Sequence, residues 1–260
     1  MNKTSIEWTD FSSNPIYATS GGKRGWFCEK VTPGCAHCYA ETLNEGRFGN
    51  GLAFIPANRS KVEFHFNTAE LREWQKPRYA GARVFVCDMT DLFGEWVPEH
   101  WLHATFEAMW NAPEVTFQVL TKRPERMRSW LTATLPSWRP YLDNVWLGVS
   151  VENQRWTTRI DDLRRVPAAV RFLSCEPLLG PLRLDLRDIS WAIVGGESGP
   201  RRREMNLSWL ESIVGQCRSA DVPVFVKQDS GPRPGQWGRI PEQLRIREFP
   251  GGVAVNRPAR

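Results

Sequence analysis

The chain has 260 residues, 41% hydrophobic and 24% charged, the balance of an ordinary soluble domain and a common size for a single α/β barrel. Its formal net charge of +5 mildly favours a polyanionic partner such as nucleic acid. The opening residues lack the apolar stretch of a signal peptide, and no run of about 18 apolar residues occurs, so a cytoplasmic protein without a membrane span is expected.

In chain order, a weak strand candidate at residues 5–8 precedes the densest feature of the sequence. Cys28, Cys35 and Cys38 place three of the six cysteines within eleven residues, spaced Cys-x6-Cys-x2-Cys. Pro33-Gly34 makes a turn before the close pair, and residues 39–43 are compatible with a helix. A Gly- and Asn-rich loop spans residues 46–58. Short apolar runs follow at residues 84–87, 116–120, 145–149, 171–174, 191–194 and 223–226. They are continuous rather than alternating, which predicts strands of a parallel sheet buried on both faces. Helical segments are predicted from Pro98 to Trp110, from Pro124, over 152–165, and over 207–219 with Asn206 as N-cap. Strand and helix alternation predicts βαβ units: a β/α barrel over residues 1–229, open or closed, or a doubly wound open sheet. The Gly-, Pro- and Arg-rich residues 230–260 read as a tail, cover or nucleic-acid arm.

Each apolar run ends in polar residues: Asp88 and Asp91; Lys122-Arg123; Glu152; Ser174 and Glu176; Gly195-Gly196-Glu197; Lys227-Gln228. C-terminal strand ends build the active site of β/α barrels, so these residues predict one polar pocket. Lys122 and Arg123 suit a phosphate or carboxylate, or simply start a helix. Glu152 and Glu176 suit hydroxyl or ammonium groups, or form structural ion pairs with Lys122 or Lys227. Asp88 and Asp91 suit the same roles, or cap a turn. Lys227-Gln228 suits an anion, and Ser174 either hydrogen-bonds in the pocket or merely ends its strand. Gly195-Gly196-Glu197 is either a substrate contact or a tight turn. Arg201-Arg202-Arg203, the densest basic run, is a solvated patch or an attractor of nucleic acid.

In a reducing cytosol a tight cysteine cluster reads as metal-binding or catalytic. Three thiolates can hold a 4Fe-4S cluster with one iron open. Structural zinc completed by His65 or Cys87 is the alternative. Cys87, Cys175 and Cys217 otherwise read as buried apolar residues. Trp26, Phe27 and Tyr39 flank the loop and would shield a cluster or stack on a base.

Several stretches resemble the phage Gp37/Gp68 family, itself similar to radical S-adenosylmethionine (SAM) enzymes of the spore photoproduct lyase type. They are the loop from Cys28 through Cys35 and Cys38 to Glu41, and residues 84–93, 120–124, 147–152, 173–179, 194–199 and 226–228. The resemblance implies a TIM-like β/α barrel with the cysteine loop after the first strand. It implies a 4Fe-4S cluster on Cys28, Cys35 and Cys38, and SAM bound beside it. It implies a 5′-deoxyadenosyl radical that abstracts hydrogen from a nucleic-acid base in repair or modification, DNA rather than RNA. SAM contacts are expected from Tyr39, Lys122, Arg123, Glu152, Ser174 and Glu176. Substrate contacts are expected from Asp88, Asp91, Gly195, Gly196, Glu197, Arg201, Arg202, Arg203, Lys227 and Gln228. Two other classes stay open: a non-catalytic zinc or iron-sulfur nucleic-acid-binding protein, and a radical enzyme on a protein or small molecule. The first cysteine gap is six residues, where radical SAM loops have three. His37 stands where they carry an aromatic residue.

Overall fold

A computed structural model describes residues 1–134 and 142–251. Its elements, in chain order, are β1 (Asn2–Lys3), β2 (Phe11–Ser13), β3 (Ile16–Ser20), β4 (Lys23–Gly25), α1 (Tyr39–Glu45), β5 (Glu63–Phe66), α2 (Thr68–Glu73), β6 (Arg83–Val86), α3 (Glu99–Trp110), β7 (Thr116–Thr121), α4 (Pro124–Thr134), β8 (Val145–Ser150), α5 (Arg159–Arg164), β9 (Val170–Cys175), β10 (Trp191–Gly195), α6 (Leu207–Ser219) and β11 (Val224–Gln228). Eight strands make a mostly parallel sheet. The chain divides into two compact units, one of Met1–Trp146 with Pro167–Ala169, the other of Leu147–Val166 with Val170–Arg260. No helix among the described residues is long and apolar enough to cross a membrane.

In the first unit β1 pairs antiparallel with β2, and β2, β6 and β7 follow in parallel register. The β6 core residues Val84, Phe85 and Val86 are all buried, as a strand covered on both faces requires. Fully buried Trp74, Leu92, Phe93, Leu102, Met109 and Phe117 fill the space around these strands. The expected strand at residues 5–8 is not one. Thr9 instead turns back onto Ile6, and pairing begins at Phe11. A second, antiparallel sheet, β4-β3-β5, lies between β2 and β6 in sequence and was not anticipated. Its hairpin turns on Gly21 and Gly22, with φ of 55° and 76°, the left-handed pair that a tight two-residue turn demands. The cysteine loop therefore follows this hairpin rather than directly following the first parallel strand.

In the second unit β9, β10 and β11 are parallel neighbours. Trp191, Phe172 and Phe225 are fully buried, and Phe249 packs 5.2 Å from the Trp191 ring. Asn206 caps α6 by accepting from the Ser208 N–H at 2.9 Å, as its sequence predicts. The helix expected over 152–165 is instead a 3-10 turn, Gln154–Thr158, leading into the short α5. The described part of the tail, residues 230–251, belongs to this unit. Val226 N–H donates to Ile246 and Glu248 N–H to Val224, so residues 246–248 cover the edge of β11 away from β10.

Candidate functional site

The cysteine loop belongs to the first unit. A 3-10 turn, Pro33–Cys35, sits at its centre, and Cys38 is the residue from which α1 starts. Cys28, Cys35 and Cys38 are all free thiols with part of their surface at solvent. Cys28 and Cys38 pack with Trp26 against one small core of Ala40, Phe54 and Met89. Cys35 Sγ lies 3.6 Å from Thr32 Oγ1. Surrounding protein pushes the Cys28 thiol up, and the Asp91 charge, Cys38 and Cys35 add to it while Arg123 opposes. The Cys38 thiol is raised chiefly by burial too, with Lys122 among the opposing groups. Cys28 thus feels Asp91, Arg123 and the other two sulfurs, while Cys38 feels Lys122 and Cys35.

Buried polar side chains fix the loop. Asn44 accepts from Trp26 N–H at 2.7 Å and donates to Asn50 Oδ1 and Leu52 O. Asn50 donates to Trp26 O at 3.0 Å. This pair explains two glycines: a Cβ at Gly25 would stand 2.3 Å from Asn50 N, and one at Gly49 2.2 Å from Asn44 O. Glu41, buried in α1, accepts from Phe54 N–H at 2.9 Å and pairs with Lys30 at 2.7 Å. Thr90 Oγ1 donates to Phe27 O at 2.5 Å, which ties the loop to the turn after β6.

That turn begins at Cys87, buried and at φ 62°, where a non-glycine residue is strained. Asp88 follows, accepting from Asn14 Nδ2 at 2.6 Å and from the Tyr39 hydroxyl at 3.2 Å. Burial raises the Asp88 carboxyl, and these two donors oppose the shift. Asp91 is the fixed point of the strand ends. Its Oδ1 accepts from Phe93 N–H at 3.0 Å and Thr121 Oγ1 at 2.7 Å, and its Oδ2 from Lys122 N–H at 3.0 Å and Arg123 Nη1 at 3.2 Å. Arg123 also faces Glu29 at 3.8 Å and lies 4.7 Å over the Trp96 ring. Of the residues singled out in the sequence, Cys28, Cys35, Cys38, Tyr39, Asp88, Asp91, Lys122 and Arg123 are therefore brought together in this unit. The supporting residues Asn14, Glu29, Asn44, Asn50 and Thr90 carry no motif. Only the paired Asn residues among small neighbours offered a signal.

The remaining candidates lie in the second unit. Glu152 is fully buried and pairs with Arg159 at 3.2 Å, whose guanidinium also donates to Ser150 O and covers the Trp156 ring. Glu176 and Lys227 form an ion pair at 2.5 Å, one of the two roles left open for them. Ser174 is buried on β9, and its carbonyl accepts from Val151 N–H. Gln228 bridges Gly196 O and Gly235 N–H, each at 2.8 Å. Gly196 is cradled against the chain after β11: a Cβ there would meet Ser230 N at 2.4 Å, while one at Gly195 would meet nothing nearer than the Lys227 side chain at 3.4 Å. Glu197 accepts from Arg203 N–H at 2.8 Å and from its guanidinium at 2.9 and 2.5 Å. Arg203 is thus half-buried and paired, whereas Arg201 and Arg202 are exposed.

A family model described as a protein of unknown function, DUF5131, matches residues 3–252. The chain belongs to the DUF5131 family. Neither the curated proteins nor the solved structures include a match to it. The match spans the cysteine loop and every strand end described above.

In this DUF5131 chain the donor chemistry suits a thiophilic metal. Three thiols lie on one loop, burial raises Cys28 and Cys38 with Arg123 and Lys122 opposing, and a bound cation would hold the cysteines as thiolates. Among the described residues no group of three or more His, Cys, Asp or Glu side chains is drawn together so as to hold a metal ion. His65, one expected fourth ligand, instead stacks on Tyr17 at 4.9 Å and bonds Thr19 at 2.8 Å. Cys87, the other, is buried, with Asp88, Glu70 and Asp91 as its charged neighbours.

Proposed function

We propose that this protein is an iron-sulfur, radical SAM-like enzyme acting on a nucleic-acid base, with the sheet and its helices serving as a partial β/α barrel. The observation that carries the reading is that the loop bearing Cys28, Cys35 and Cys38 is tied to the polar ends of β6 and β7, through Thr90 to Phe27 and through Arg123 to Glu29 and Asp91. Occupation of one β11 edge by residues 246–248 favours the partial form of the barrel over the full one.

Cys28, Cys35 and Cys38 would hold a 4Fe-4S cluster. When bound, it supplies an electron for reductive cleavage of SAM at an iron without a protein ligand. The chain's own residues do the rest. The apolar contacts of Trp26, Phe54 and Met89 keep water from one side of Cys28 and Cys38. Lys122, whose backbone is fixed by Asp91, presents a cation beside Cys38 and suits a carboxylate or phosphate. Asp88, oriented by Asn14 and Tyr39 and raised by burial, suits an ammonium or a hydroxyl. Arg123 and Asp91 satisfy one another and act as the frame.

The test is anaerobic reconstitution with iron and sulfide, then dithionite and SAM, with chromatographic detection of 5′-deoxyadenosine. Its release, abolished in Cys35→Ala, is the expected result. A reduced, intact cluster that releases none would overturn the reading.

A further inference from the structure

The large hydrophobic side chains exposed among the described residues are Val31 at 37%, Tyr39 at 48%, Leu43 at 42%, Phe48 at 65% and Ile55 at 39%. All fall within 25 residues that include the cysteine pair Cys35 and Cys38. They form one face. Tyr39 and Leu43 are one turn apart on α1, and Phe48 follows where Gly51 N–H returns to Asn44 O. Val31 and Ile55 adjoin the backbone bond from Lys30 N–H to Phe54 O, and Glu41 bonds both of those segments. Monomeric proteins seldom collect their exposed apolar groups in this way without a ligand.

Charge says which ligand. Residues 20–62 hold six Lys and Arg against three Glu, a net +3 in a chain of +5. Lys30 is paired with Glu41, and Glu29 faces Arg123. That leaves Glu45 as the one exposed acid of this segment, against exposed Lys23, Arg24, Arg47 and Lys61, with Arg59 facing Glu95 at 4.0 Å. The Arg47 guanidinium lies 4.7 Å over Phe48, the most exposed of the five apolar residues. A solvent-facing aromatic ring with a stacked arginine inside a basic field is the chemistry that binds unpaired bases and their phosphates.

We propose that this face of the first unit binds single-stranded nucleic acid, with Phe48 and Arg47 as the stacking platform and Lys23, Arg24 and Lys61 on the phosphates. The proposal rests on the reading that the substrate is a nucleic acid, and assigns the surface that holds it.

The experiment is fluorescence anisotropy of a fluorescein-labelled oligodeoxythymidylate with the full-length protein over a salt series. Binding should weaken with salt at a logarithmic slope of about −2 to −3, for three or four phosphates. Phe48→Ala should lower affinity about tenfold with the slope unchanged. Arg47→Ala should lower affinity and reduce the slope by about 0.7. Both side chains are exposed, and circular dichroism checks that the variants fold. Absence of binding, or binding lost in Arg201→Ala/Arg202→Ala and untouched by Phe48→Ala, would overturn the proposal. So would a dimer in sedimentation that Phe48→Ala dissociates while oligonucleotide affinity is unchanged. Affinity is measured without SAM cleavage. A protein that binds through Phe48 yet releases no deoxyadenosine keeps this surface and loses the radical reading, and the reverse result does the opposite.

Discussion

Asp91→Ala should be the most damaging substitution at the strand ends. The carboxylate is buried at 6% exposure and holds four partners: two backbone N–H groups, the Thr121 hydroxyl and the Arg123 guanidinium. Removing one member of a buried ion pair costs about 3–5 kcal/mol, because the other charge is left uncompensated. Bonds to a charged group contribute about 1.5–3 kcal/mol each but overlap here, so about 4 kcal/mol is the working figure. For a chain of this size that lowers Tm by roughly 8–16 °C. Asp91→Asn should not rescue. Its amide can keep Phe93 and Thr121 as partners only by turning its NH2 toward Lys122 N–H and Arg123, donor against donor. Thermal and urea unfolding followed by circular dichroism measure both variants. Freed Arg123 also loosens Glu29, so alkylation of Cys28 should quicken in the native protein. A loss below about 1 kcal/mol, or an Asn variant equal to wild type, would refute the view that Asp91 frames the site.

Asn44→Ala should cost about 2–4 kcal/mol, since buried Trp26 N–H, Leu52 O and Asn50 lose their partner, and should speed alkylation of all three loop cysteines. Gly196→Ala should destabilise by more than about 1 kcal/mol, because its Cβ meets backbone at Ser230 rather than a yielding side chain, whereas Gly195→Ala should be milder. Burial, with Glu248 adding, pushes the Cys217 thiol up to about 12, and burial raises Cys175 further. A raised thiol contributes stability that is present below its unfolded value, near 9, and is lost as pH rises toward the folded value. The unfolding free energy from urea titrations should therefore fall above pH 9 by up to about 1.4 kcal/mol per pH unit per thiol, and Cys217→Ala should flatten that fall. A flat alkaline profile in wild type would contradict it.

The parallel strands were legible because they are apolar runs with no polar interruption, as at Val84 to Val86 and Trp191 to Val194. The α6 boundary was legible from the Asn206 cap, and α3 from Pro98. The antiparallel sheet was not, since β3 and β5 pair residues as far apart as Ile16 and Phe66 and neither strand is apolar throughout. The three-residue β2 is too short to show a pattern, and its pairing with β6 is decided by tertiary contact. At the site, the sequence marked the charged ends but not which would be spent internally. Asp91 with Arg123, Glu152 with Arg159 and Glu197 with Arg203 are pairings between residues whose proximity depends on how each turn closes. The exposed Phe48 and its Arg47 partner sat unread in a stretch that looked like an ordinary glycine-rich loop.

The absorption spectrum and metal content of anaerobically purified protein test the central claim most directly. A brown protein with a broad band near about 400 nm, close to four irons and four sulfides per chain, and loss of both in Cys28→Ala, Cys35→Ala and Cys38→Ala, is the predicted result. A colourless protein carrying one tightly held zinc, retained when Cys35 is replaced, would contradict it.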